Sequence, residues 1–164
     1  MLNYDFKYSI FVPLIFLFFI LPVHIIIIGT DLGIAVQFPL FREQWTNYGF
    51  SDINWFTDIQ YILKGALSGK TAISIGFWQI GNLFFVLTII ALALHLSEKI
   101  SIKIVAYSLF VTSCLYLTSI IIQYGPLFHG PAGVAIPVGL PLLFFLSYWF
   151  YSLHRKNREG CQEE

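Results

Sequence analysis

The sequence predicts an all-α integral membrane protein in which four transmembrane helices form a bundle. Asp, Glu, Lys and Arg are absent from three long stretches, residues 8–30, 71–97 and 104–154. Each of the first two has about the length of one membrane-spanning helix, roughly 20 residues. The third is about twice as long, and glycines and prolines interrupt it at residues 123–131. Because these residues cannot continue a regular helix, the third stretch predicts two spans and a tight turn.

The predicted spans cover about residues 9–30, 72–96, 103–124 and 134–153, so residues 1–164 form one membrane domain. The composition agrees, since the chain is 57% hydrophobic and 11% charged, with a mean hydropathy of +0.76. A soluble globular protein has a charged fraction of about 25%. We therefore expect most of this chain to lie within a lipid bilayer. A formal net charge of zero leaves no basic surface for nucleic acid.

The long loop at residues 31–70 is predicted to lie on the outer side of the membrane, and residues 154–164 form a cytoplasmic tail. With both termini in the cytoplasm, six of the nine Lys and Arg residues lie in inner segments, as the positive-inside rule requires. No organelle address is present, which makes the plasma membrane the default location.

An amphipathic helix is predicted inside the outer loop. Its apolar residues recur at helical spacing, and its polar residues occupy the opposite arc. The apolar set is Trp55, Phe56, Ile59, Ile62, Leu63, Ala66 and Leu67, and the polar set is Thr57, Asp58, Gln60, Tyr61 and Lys64. Ser51 or Asp52 is expected to cap its start and Gly69 to follow its end. The preceding apolar segment, 33–41, is too short to span a bilayer.

A small polar pocket is predicted in the outer half of the bundle, where five polar side chains lie at similar depth. These are His24, Gln79, Asn82, Ser119 and Gln123, with Arg42 and His129 expected at the mouth. These seven are the candidate ligand-binding residues, and such a pocket suits a lipid-like molecule with a polar head. The alternative interpretation is that the amides and hydroxyls only hydrogen-bond neighbouring helices together.

The four histidines allow a second hypothesis, in which His24 and His129 are axial ligands of a b-type haem. A histidine within an apolar run, as His24 is, must find a polar partner inside the protein. No thiolate metal site is expected, because Cys114 and Cys161 match no metal-ligand spacing.

The predicted function is that of a non-catalytic membrane protein. Apart from Lys103 at the first position of the third span, no charged residue lies within a predicted span, which argues against an ion-motive machine, and no short catalytic motif is present. We expect a subunit or accessory of a larger membrane complex, with the bilayer and other membrane protein subunits as partners and lipid binding from the outer side. Two alternatives stay open: a haem b electron carrier, and a membrane enzyme that acts on a lipid substrate.

Overall fold

The computed structural model describes residues 20–29, 32–131 and 133–159. Six strands are present in this part of the chain: β1 (His24–Ile28), β2 (Gly33–Gln37), β3 (Phe41–Thr46), β4 (Gly49–Asn54), β5 (His129–Gly130) and β6 (Gly133–Ile136). Four helices accompany them: α1 (Trp55–Leu63), α2 (Gly69–Leu96), α3 (Ile102–Tyr124) and α4 (Leu140–Glu159).

The prediction of an all-α fold is wrong, because the strands form one antiparallel sheet in the order β4-β3-β2-β1-β6-β5. The predicted first span contains β1 at its C-terminal end, and its residues 9–19 lie outside the described residues. A short apolar run between turn residues is equally compatible with a buried strand and with part of a helix. Four consecutive isoleucines favour the strand, since β-branched side chains pack well on a pleated surface.

The prediction of a four-helix bundle is wrong as well. The predicted fourth span, 134–153, is divided between β6 and α4, and α4 begins only at Leu140. The uncharged part of α4 extends only from Leu140 to His154. This part is shorter than the roughly 20 residues that a span requires. Within the described residues, two helices are long and apolar enough to cross a membrane, α2 with 28 residues and α3 with 23.

The predicted outer loop contains β2, β3, β4 and α1. The amphipathic helix is present as α1, but its cap is Asn54, whose side chain accepts a hydrogen bond from the backbone N–H of Thr57. Gly69 begins α2 instead of ending α1. The orientation of α1 also differs from expectation, since Asp58 is its buried residue whereas Phe56 and Leu63 are exposed.

The inner face of the sheet packs against the long helices. Alternate residues on three adjacent strands are buried on this face, among them Ile26 on β1, Ala35 on β2 and Ala135 on β6. They join one hydrophobic core that continues between the helices. Helix α4 runs antiparallel to α3, since Phe144 contacts Phe110 and the later residue Tyr151 contacts the earlier residue Tyr107. The sheet therefore covers one end of the helices, at Gly69 and Tyr124.

Polar side chains connect α2 to α3 at three levels. The hydroxyls of Ser74 and Ser119 each donate to the other residue's carbonyl, at 2.9 and 2.8 Å. The Tyr116 hydroxyl donates to Asn82 Oδ1 at 2.9 Å, and Thr88 donates to the Ser108 hydroxyl at 2.8 Å.

Gly81 allows the two helices to approach closely at the middle level. A Cβ atom there would lie 2.8 Å from two ring carbons of Tyr116, whereas a Cβ at Gly76 on the same helix would meet nothing within 4 Å. Gly81 therefore has no room for a side chain, whereas Gly76 has open space beside it.

We expect Gly81→Ala to lower the melting temperature of the purified protein in detergent, since overpacking costs about 1–3 kcal/mol. Gly76→Ala is the matched control and should leave the melting temperature unchanged or raise it, because alanine favours a helix over glycine by about 1 kcal/mol. Equal stabilisation by both substitutions would contradict the close approach at Tyr116.

Candidate functional site

A small cavity lies where the inner face of the sheet meets α1 and the sheet-side ends of α2 and α3. Its volume is about 70 Å³, room for roughly five water molecules or for a polar group of a few atoms. Nine of its thirteen lining residues are polar, namely His24, Gln37, Arg42, Asp58, Thr71, Ser74, Ser119, Gln123 and Tyr124, and the others are Ile26, Ile75, Trp78 and Ile120.

The register of the sheet places three of these side chains in one row. His24 on β1 is paired with Gln37 on β2, and Gln37 is paired with Arg42 on β3. Residues that are directly opposite in neighbouring strands have their side chains on the same face. The row therefore faces the cavity across three strands. The first turn of α1 adds Asp58, whose Oδ1 lies 3.6 Å from Nη2 of Arg42.

The long helices provide the other wall by helical spacing. Thr71, Ser74 and Trp78 follow each other at intervals of three and four residues on α2, and Ser119 and Gln123 are four apart on α3. Side chains at such intervals lie on one face of a helix. The wall is thus formed by the first turns of α2 and the last turns of α3.

Four polar atoms of the lining have no hydrogen-bond partner within the described part of the chain: His24 Nδ1, Arg42 Nε, Asp58 Oδ1 and Gln123 Oε1. The Arg42–Asp58 separation is an ion pair but exceeds hydrogen-bond length, so Asp58 Oδ1 still lacks a donor. The set combines an N–H donor on Arg42 with oxygen acceptors on Asp58 and Gln123. Buried polar atoms normally have partners, so this cavity suits a group that both donates and accepts.

Burial governs the titration of the site. Desolvation, with a smaller contribution from the positive charge of Arg42, lowers the pKa of His24 to about 3. Desolvation raises the pKa of Asp58, and the attraction of Arg42 only partly opposes it. His24 is therefore neutral at physiological pH.

Below the cavity, contacts continue between α2 and α3. The His24 ring meets the Trp78 ring edge-on at 5.3 Å, and Trp78 stacks on Tyr116 at 4.2 Å. Tyr116 bonds to Asn82, whose Nδ2 donates to Gln79 Oε1 at 3.3 Å. The cavity wall and the helix interface are thus connected through Trp78.

The structure brings four of the seven predicted site residues together: His24, Arg42, Ser119 and Gln123 line the cavity. Asn82 and Gln79 lie in the helix interface instead, and Gln79 Nε2 is buried without a partner in the described residues. His129 is exposed on β5 and is not among the lining residues. Ser119 and Asn82 also hydrogen-bond α3 to α2, which is what the alternative interpretation expects of such residues.

The sequence interpretation missed Gln37, Asp58 and Trp78. Gln37 lies in the apolar segment 33–41, which the sequence shows only to be too short for a span, and Asp58 lies in the polar arc predicted for the amphipathic helix. The available signal was a spacing of two residues, since His24 is two residues from Ile26 and Gln37 is two residues from Ala35. On a strand, residues at this spacing lie on the same face.

The residues do not fit a haem between His24 and His129. His24 is buried in a cavity of about 70 Å³, and His129 is exposed on another strand, whereas bis-histidine ligation needs both imidazoles at one haem-sized space. Among the described residues, no group of three or more His, Cys, Asp or Glu could hold a metal ion.

Comparison with protein-family models, with curated proteins and with solved structures found no match. The site must therefore be interpreted from its own chemistry.

His24 should make the protein sensitive to acid. Its folded pKa of about 3 lies below the ordinary 6.5, so below pH 6.5 the unfolded chain gains a proton that the folded chain does not. The free energy of unfolding should fall by about 1.4 kcal/mol per pH unit from this group, down to about pH 3. This loss of unfolding free energy should be absent above pH 6.5, and it should be absent in His24→Gln at any pH. Denaturant unfolding measures it.

The control is His129→Gln, at an exposed position outside the cavity. An unchanged acid dependence in His24→Gln would contradict the burial of His24.

Arg42 and Asp58 should be coupled. Their side chains are 19% and 5% exposed, so removing one leaves the other charge poorly solvated. Arg42→Leu or Asp58→Leu alone should lower the free energy of unfolding by about 2–4 kcal/mol, and the double variant should recover much of it. Additive losses would show that the two groups do not interact. Lys64→Leu, at an exposed cation on the same side of the molecule, should change the stability by less than about 0.5 kcal/mol.

Proposed function

We propose that this chain is a non-catalytic membrane protein that binds the neutral polar head of a lipid-like amphiphile in the cavity under the sheet. The observation that supports it is a set of four buried polar atoms around one small space, none of which has a hydrogen-bond partner in the described residues. A head with two hydroxyl groups has two protons to donate, to Asp58 Oδ1 and Gln123 Oε1, and its oxygens can accept from Arg42 Nε and from His24 Nδ1 when that nitrogen carries the ring proton. Hydrogen bonds of this kind would fix the position and orientation of the head.

The charges favour a neutral head over an ion. Arg42 and Asp58 face the cavity as an opposite pair, so their charges nearly cancel there. An anion would meet Asp58 and a cation would meet Arg42, and each would also lose its hydration. A small hydroxylated head avoids both costs.

The location supports an amphiphile. We propose that α2 and α3 cross the membrane, since α2 alone is 28 residues long, about 42 Å, against a hydrocarbon core of about 30 Å. The excess length places the first turn of α2, with Thr71, in the head-group region. Ile75 and Ile120 line the cavity from the two helices, so apolar surface lies beside the polar row.

We further propose that the sheet faces the outside of a plasma membrane. The connection between α2 and α3 carries Lys99, Lys103 is in the first turn of α3, and the antiparallel packing of α4 brings its C-terminal end to this side of the molecule. Because cations favour the cytoplasmic side, these lysines support a cytoplasmic C-terminus. The cytoplasmic placement of the N-terminus stays a prediction, since it falls outside the described residues.

The binding proposal is tested by native mass spectrometry of the full chain in detergent with added lipid. The probe is monoolein, a monoacylglycerol whose head has two free hydroxyls, compared with phosphatidylglycerol and oleate, which are anionic. We expect monoolein to bind with one-to-one stoichiometry, and to bind roughly tenfold more weakly after His24→Leu or Gln123→Leu, since each removes a buried hydrogen bond worth about 1–2 kcal/mol.

Gln60→Leu provides the matched control, because Gln60 is exposed on α1 and outside the cavity. It should leave monoolein binding unchanged. Stronger binding of phosphatidylglycerol or oleate than of monoolein would contradict the preference for a neutral head. Equal affinity in all three variants would place the lipid elsewhere.

A further inference from the structure

The outer face of the sheet carries a row of exposed apolar side chains. Ile27, Ile34, Trp45 and Phe50 are directly opposite one another on β1 to β4. Their exposed fractions are 41, 49, 47 and 60%, although residues of the opposite parity on β1 and β2 are buried. The Trp45 and Phe50 rings contact each other at 5.5 Å. We call these four residues the apolar row.

The apolar row belongs to a larger surface. A second register row on the same face contains Ile136, Ile25 and Val36, and it ends in Glu43 and Asp52. With strands about 4.8 Å apart, the two rows are roughly 20 Å wide, and contiguous exposed apolar surface is a feature of interaction sites. Within the described residues, α1 lies on the other side of the sheet, where Asp58 meets Arg42. The outer face is therefore open in this part of the chain.

Glu43 and Asp52 lie side by side at one end of this surface. They are directly opposite each other on β3 and β4, an arrangement of like charges that destabilises a sheet. Arg42, the cation on β3, pairs with Asp58 on the inner face. In the described residues, neither Glu43 nor Asp52 therefore has a cation as an ion-pair partner. A cation brought by another molecule would relieve this repulsion.

We propose that the outer face docks a partner protein whose contacting surface is apolar and carries a lysine or arginine that pairs with Glu43 and Asp52. A second copy of this chain would present the same uncompensated carboxylates, so its approach would add repulsion. An anionic lipid surface would be repelled in the same way. A partner with an apolar surface and one basic residue satisfies both the exposed rings and the two carboxylates.

The test uses the full chain in its native membranes with benzoylphenylalanine, a photo-reactive residue, in place of Phe50. We expect a one-to-one cross-link to a different protein, with Lys or Arg next to apolar residues in the cross-linked peptide. Glu43→Gln with Asp52→Asn should lower the cross-link yield roughly tenfold, since close charge pairs at interfaces contribute about 1.4 kcal/mol or more. The same photo-reactive residue in place of Phe56, which is exposed on α1, is the control and should give no such product.

The melting temperature separates loss of docking from loss of folding. Glu43→Gln with Asp52→Asn removes a like-charge pair, so the isolated protein should be at least as stable as the wild type. A cross-link from position 50 to a second copy, to lipid or to residues 1–19 of the same chain would overturn the proposal. So would a cross-link whose yield does not depend on the two carboxylates, or the absence of any cross-link.

Discussion

Strand β1 pairs with β2 on one side and with β6 on the other, and the rest of the structure depends on this double pairing. β2 follows β1 directly, whereas β6 follows α3, so the second pairing joins segments that are more than a hundred residues apart. Two further hydrogen bonds extend it, from the Val23 N–H to the Gln37 carbonyl and from the Gly139 N–H to the Val23 carbonyl. The sheet is thereby held over the ends of α2 and α3, and the start of α4 is held beside it.

The same pairing creates the cavity and buries the polar atoms that line it. A buried polar atom that bonds neither to protein nor to water costs about 1–3 kcal/mol, and four atoms without a protein partner in the described residues line this space. Water or a bound polar group must therefore occupy hydrogen-bonding positions beside them. This requirement is why the proposed ligand is assigned to the polar row across β1, β2 and β3.

The two faces of the sheet differ in the side chains that they carry. The inner face meets the helices with small or polar residues such as Ala35, Gln37 and Ala135, which allow close packing, and Gln37 also lines the cavity. The outer face carries larger apolar side chains and two carboxylates without an ion-pair partner in the described residues. The proposed ligand site and the proposed contact surface lie on opposite faces of the sheet, so the two proposed interactions do not compete for residues.

The sequence by itself determined α2 and α3, because long charge-free runs are decisive wherever a helix exceeds about 20 residues. It also identified His24, Arg42, Ser119 and Gln123 as candidate site residues, since polar side chains in apolar surroundings need partners wherever the chain places them. Only the tertiary structure decided that His24–Ile28 and Gly133–Ile136 are strands, because hydropathy does not distinguish a short buried strand from part of a helix. It likewise decided that Gln37 and Asp58 join the site, since their positions depend on cross-strand register and on the orientation of α1, which are set by contacts between residues distant in the chain.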